Sequence, residues 1–142
     1  MKGLRLHYYF ALALVQCILM SCQQQAASAH LDVQMDTKKE FIIFLQEFNE
    51  NQDFQLSRIK FPLEATVLVD DFTPWDVFLT KEQYHVGSLP IHSSQELTVL
   101  LSIDSTYSSV MYKGAENGIM AEYYFEKLEG IWFLVKMNDL ST

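Results

Sequence analysis

The sequence predicts an α+β protein: N-terminal helices packed on a curved antiparallel β-sheet, in a single domain. Three observations predict it. One apolar stripe of helical spacing lies at Phe41, Phe44, Leu45 and Phe48. After Pro62 the apolar period changes to two. The alternating segments that follow are separated by short turn signals, so strands are expected to neighbour one another in a meander packed under the helices.

The 142 residues allow one ordinary domain. Hydrophobic residues make up 49%, with five Gly and three Pro, a composition that excludes a disordered or fibrous chain. The formal net charge of −8 argues against nucleic acid, whose binding rests on Lys and Arg neutralising phosphates.

The elements follow in order. Thr37-Lys38-Lys39-Glu40 matches a capping box and opens the first helix, and Asn49-Glu50-Asn51 marks its end. A second, shorter helix is predicted from Asp53, as cap, to Ile59. Pro62 limits it, because the residue before a proline is pushed out of the helical region. Strands are predicted over 65–69, ending at Asp70-Asp71, and over 75–79 around Trp75, Val77 and Leu79. Thr80 to Gln83 caps a helical turn leading to Tyr84. Residues 97–103 alternate most cleanly, and Asp104-Ser105 interrupts before a strand resumes through Tyr112. The Asn117-Gly118 pair marks a turn that favours positive φ. Strands over 119–128 and 131–137 meet at Glu129-Gly130 as a hairpin. The domain is expected to span 36–142, long enough to bury a core without disulfide or metal.

The first 21 residues read as a secretory signal. Lys2 and Arg5 are the only charges before Asp32, and Phe10 to Met20 is apolar apart from Gln16. That run is shorter than the roughly 20 apolar residues a membrane-spanning helix needs. Leu19-Met20-Ser21-Cys22 resembles the lipobox of bacterial lipoproteins. The resemblance implies cleavage before Cys22 and acylation of its thiol, an anchor that holds when two or more chains insert. Residues 22–35 then form a polar tether after lipidated Cys22. Cys17 lies in the cleaved segment, so the folded part has no thiol for a disulfide, a zinc site or a nucleophile. Ten basic residues less Lys2 and Arg5 leave eight against eighteen acidic, a mature charge of −10, so the lipid rather than the domain would hold the membrane. In lipoproteins of Gram-negative gut anaerobes, acidic residues just after the cysteine favour surface display. None occurs here before Asp32, so the expected address is the outer membrane, facing the periplasm.

The element order, and the ending Tyr123-Tyr124-Phe125-Glu126-Lys127-Leu128-Glu129-Gly130-Ile131-Trp132-Phe133-Leu134-Val135, resemble the nuclear transport factor 2-like, or cystatin-like, cone. Phe54-Gln55-Leu56-Ser57-Arg58-Ile59-Lys60-Phe61-Pro62-Leu63 resembles a stretch in uncharacterised lipoproteins of Gram-negative gut bacteria that share that fold. The resemblance covers about residues 38–138. It implies a pocket between helices and sheet, and it brings no catalytic residue with it.

Some proteins of that fold are catalysts, and their chemistry needs a carboxylate base and a Tyr or His donor in an apolar cavity. Asp70, Asp71, Asp76, Tyr84, His85, His92 and Tyr107 are the available residues. Asp70-Asp71 also suits a solvated turn. His85 and His92 lack metal-ligand spacing, and no metal or cofactor is expected. Phe41, Phe44, Phe48, Trp75, Tyr123, Phe125 and Trp132 suit either an apolar pocket or, more simply, a packed core. Arg58 and Lys60 suit either an acidic ligand or intramolecular ion pairs. The first expectation for function is a lipid-anchored envelope domain, without catalysis, that binds a small apolar ligand or a partner protein. The alternatives are an enzyme with an Asp base and a Tyr or His donor, and a structural subunit of an envelope complex.

Overall fold

The structure is a computed structural model that describes residues 35–70 and 73–142. The signal segment, Cys22, almost all of the tether and Asp71 lie outside the described residues.

Helix α1 occupies 35–50, its stripe of Phe41, Phe44, Leu45 and Phe48 fully turned inward. Residues 35 and 36 are already helical, so Thr37 lies inside the helix and not at its cap. Helix α2 is Gln52–Ser57. Its cap is Asn51, not Asp53: the Asn51 side chain accepts from the Phe54 N–H at 3.0 Å. Asp53 sits in the first turn, where its charge suits the helix dipole.

Six strands follow: β1 (Ile59–Asp70), β2 (Thr73–Leu79), β3 (Leu97–Ile103), β4 (Tyr107–Gly114), β5 (Met120–Leu128) and β6 (Ile131–Asp139). They form one sheet in the order β2-β1-β6-β5-β4-β3, open at β2 and β3. Every pairing is antiparallel except β1 with β6, which is parallel and joins the first hairpin to the C-terminal meander. The sheet is therefore mixed at that one junction. Period-two alternation reports which face a residue takes and is silent on which strand lies alongside.

Strand β1 begins at Ile59, six residues before the expected start, and runs through Pro62. The proline is tolerated because it falls in the register break between Ile59 and Glu64 of the β1–β6 ladder and one residue before β1 meets β2 at Leu63–Leu79. Neither ladder asks for its missing N–H there. Asp104-Ser105 proves to be the turn between β3 and β4. The β5–β6 turn carries positive φ at both Glu129 (50°) and Gly130 (82°), as a two-residue hairpin of matching twist requires.

The core lies between α1 and one face of the sheet. Phe125 of β5 is its centre, with the rings of Phe41, Phe44 and Phe48 at 5.5, 5.6 and 5.5 Å, all edge-on. Edge-to-face contact of this kind adds to the area buried. Trp132 of β6 meets Phe41 at 5.0 Å. Lys127 ties α1 to the sheet through Glu40 at 2.7 Å, and its ammonium lies 5.6 Å from the Trp132 ring centre. Thr37–Thr142 form one compact unit.

Candidate ligand-binding face

Registers sort the helix-side face into cross-sheet rows. The innermost holds Ile59, Leu134, Phe125 and Ser108, and α1 lies over Phe125. The middle row runs Val77, Ala65, Met137, Tyr123, Val110 and Leu101. The outermost runs Trp75, Val67, Asp139, Ala121, Tyr112 and Val99. Burial falls along this sequence: Phe125 is closed off, whereas Trp75 is 57% exposed.

The segment between β2 and β3 folds back onto the end of α1 and brings Tyr84 to the middle of this face. A single turn starts it. Thr80 accepts from the N–H groups of Gln83 and Tyr84, and its own N–H donates to Gln83 Oε1 at 2.9 Å. Two buried or half-buried amides then hold the segment down. Asn49 donates to the Leu89 carbonyl and accepts from the Leu89 N–H, both at 2.8 Å. Gln55, 1% exposed, does the same for Gly87 and also donates to the Phe48 carbonyl. Each amide copies a strand's donor and acceptor, so these loop backbone groups are satisfied without a neighbouring strand.

Three phenols gather beyond the aromatic core. The rings of Tyr112 and Tyr123 stack at 6.0 Å and their hydroxyls lie 3.4 Å apart. Tyr84 packs edge-on to Phe61 at 6.0 Å, and both Tyr84 and Tyr123 are 9% exposed. Burial pushes the Tyr84 phenol up to about 12, with Tyr112 adding to the shift. Burial pushes Tyr123 up further, helped by its hydrogen bond to Tyr112 and by the nearby charge of Asp139. Tyr84 and Tyr123 are therefore neutral hydroxyls in apolar surroundings at ordinary pH, able to donate and accept but not to act as bases.

The aspartates expected as bases lie elsewhere. Asp76 is exposed on the opposite face, accepting from the Thr66 hydroxyl at 2.7 Å. Asp70 is exposed and accepts from the Thr73 N–H, the bland turn role. His85 and His92 are exposed, and among the described residues no three His, Cys, Asp or Glu side chains gather as metal ligands. Tyr107 lies on the outer face beside Tyr124. Arg58 is stacked over Phe54 at 4.8 Å and Phe133 at 5.8 Å in place of the expected ion pair.

No family model matches the chain, and no curated protein matches it. Solved structures do. A nuclear transport factor 2-like protein of Bacteroides fragilis superposes with a TM-score of 0.58 at 23% identity over 72% of this chain. The chain spans only 47% of that protein's length. A cystatin-like protein of Bacteroides caccae gives 0.52 at 26% identity, covering 69% of this chain and 74% of its own. A Bacteroides uniformis protein gives 0.50 at 24%, covering 66% and 72%. The fold is the nuclear transport factor 2-like, or cystatin-like, one.

Within this cystatin-like fold two residues of the phenol group escaped sequence reading. Tyr112 ends an alternating segment, and only the register with Ala121 puts it on the helix side. Asp139 lies two residues past the expected end of the last strand. The nuclear transport factor 2-like order of elements was legible, but no local signal marks a residue that matters through what stands across the sheet.

Proposed function

We propose that this protein is a lipid-anchored envelope protein, held through Cys22 at the outer membrane facing the periplasm, whose domain binds a small, largely apolar ligand without turning it over. One observation carries the binding reading: Tyr84, Tyr112 and Tyr123 bring phenol hydroxyls together just beyond the aromatic core. Buried polar atoms are usually spent on the protein's own hydrogen bonds. Here the phenols have one long bond between them, which leaves capacity for a ligand's polar group amid apolar walls, the usual make-up of a small-molecule site.

A partner-binding sheet face has less support. The middle of the outer face is polar, with Lys136 paired to Glu64 at 2.5 Å and Tyr124 donating to Glu122 at 2.6 Å. Two of its most exposed apolar side chains, Phe78 and Leu100, lie on opposite edge strands and cannot join in one patch. Among the described residues no helix is long and apolar enough to cross a membrane, so in this reading attachment rests on the acyl chains.

Native mass spectrometry of protein isolated from its own envelope fraction tests the binding reading. A retained small molecule is expected, and Tyr123→Phe with Tyr84→Phe should lower its occupancy several-fold. Equal occupancy in the double variant removes this site from the proposal. Acyl labelling that survives Cys22→Ser removes the anchor.

A further inference from the structure

Resting on the ligand-binding reading above, the geometry points to an organic ammonium as the ligand: an amine or quaternary amine on an apolar body, its charge on Asp139 and its substituents against Trp75 and Tyr112. The outermost helix-side row places these three in register. Val67 stands opposite both Trp75 and Asp139, and Ala121 stands opposite both Asp139 and Tyr112. With neighbouring strands about 4.8 Å apart, each aromatic residue is rooted about 10 Å from Asp139, one on either side. Between them lie Val67, half-buried, and Ala121, which is closed off beneath its neighbours, so a ligand would rest on the side chains of the row.

The chemistry selects a cation. Asp139 is half-buried and no described lysine or arginine pairs with it; its Oδ1 accepts from the Ser141 N–H at 3.1 Å, leaving the second carboxylate oxygen for a ligand. A half-buried carboxylate attracts an ammonium more strongly than an exposed one does. Indole and phenol faces attract the same charge through their quadrupoles, indole best. Trp75 is 57% exposed, an unusual place for an indole that serves only packing. Tyr123 stands two residues along β5 from Ala121, the register partner of Asp139, so carboxylate and phenols share one face of the sheet. The overall charge of −8 draws cations in and disfavours fatty acids and other anions.

The test uses three probes of one shape on the purified protein: 4-phenylbutylamine, 4-phenylbutan-1-ol and 4-phenylbutyrate, followed by calorimetry at two salt concentrations. The amine is expected to bind at least tenfold more tightly than the alcohol, with the carboxylate weakest and with amine affinity falling as salt rises. Asp139→Asn keeps the Oδ1 acceptor for Ser141 and should erase the amine's advantage over the alcohol. Trp75→Ala, at an exposed position, should weaken the amine several-fold. If the alcohol or carboxylate binds as well as the amine, the ligand class is wrong while the binding site stands. If no probe binds, the ammonium inference falls, and the occupancy of the Tyr84 and Tyr123 double variant decides the broader reading separately.

Discussion

The side-chain amide of Gln55 closes a two-way hydrogen bond with the backbone of Gly87, donating to its carbonyl at 2.8 Å and accepting from its N–H at 3.2 Å. The same Nε2 donates to the Phe48 carbonyl at 3.0 Å, so one side chain joins the end of α1, helix α2 and the segment that carries Tyr84. Replacing it by Leu leaves those backbone groups short of partners, at about 1–3 kcal/mol for a buried unsatisfied group. Gln55→Leu should therefore lower the urea midpoint by the equivalent of about 2 kcal/mol or more. Gln55→Glu keeps the acceptor, loses the donor and buries a charge. Its stability should recover as pH falls and the carboxyl protonates, since burial raises that pKa.

The cap of α2 separates two sequence readings that composition alone leaves equal. Asn51 and Asp53 are both good capping residues, but only Asn51 has extended backbone angles (φ −125°, ψ 108°) and receives the Phe54 N–H. Asn51→Ala should cost about 1 kcal/mol, as loss of an N-cap does. Asp53→Ala should cost less, through the dipole alone. Chemical denaturation of both variants ranks them, and a larger loss for Asp53 would reverse the assignment.

Local patterning carried the rest of the fold a long way. The stripe from Phe41 to Phe48, the alternation from Leu97 to Ile103 and the Glu129-Gly130 hairpin each depend on neighbours within a few residues, and each is found where expected. The parallel β1–β6 pairing, the passage of β1 through Pro62 and the Asn49 and Gln55 clamps depend on residues some 30 to 75 positions apart. Of the candidate site, Tyr84 and Tyr123 were already visible as residues of interest. Asp139 and Tyr112 acquire meaning only from the register that aligns them with Trp75.

Phe125 tests how far the aromatic core sustains the site. It is fully buried, with three phenylalanine rings of α1 set edge-on around it. Phe125→Ala should cost about 3–5 kcal/mol, and Phe125→Leu distinctly less because much of the volume is kept. A domain of ordinary stability has about 5–15 kcal/mol in all, so the Ala variant should melt far lower or fail to fold. Calorimetric melting of the Leu variant keeps the comparison measurable.

Gly118 and Gly130 both have positive φ, at 71° and 82°. They differ in what a side chain would meet. A Cβ at Gly130 points into open space, whereas one at Gly118 would lie 2.4 Å from the Thr142 hydroxyl and 2.7 Å from its backbone carbonyl oxygen. Gly130→Ala should therefore cost only the left-handed backbone penalty, about 1 kcal/mol. Gly118→Ala should cost more, because the C-terminal residues bonded to it must shift; the Thr142 N–H donates to the Gly118 carbonyl at 3.1 Å. Equal losses on thermal melting would show that the chain end gives way freely.

The buried phenols make stability depend on alkaline pH with a definite sign. Tyr84 titrates near 12 in the folded protein against an ordinary value of 10, and Tyr123 is raised further by burial and by Tyr112. A raised folded-state pKa means that the folded form holds its proton while the unfolded chain releases it. The contribution is thus fully present below pH 10 and is lost as pH rises through the folded value. Between pH 10 and 12 each such group should remove up to about 1.4 kcal/mol per pH unit. Denaturant midpoints across that window should fall steeply in the native protein and less steeply in Tyr84→Phe and Tyr123→Phe. Tyrosinate absorbance should show the buried phenols ionising together with unfolding, whereas their free titration at pH 10 in the folded state would place them in water.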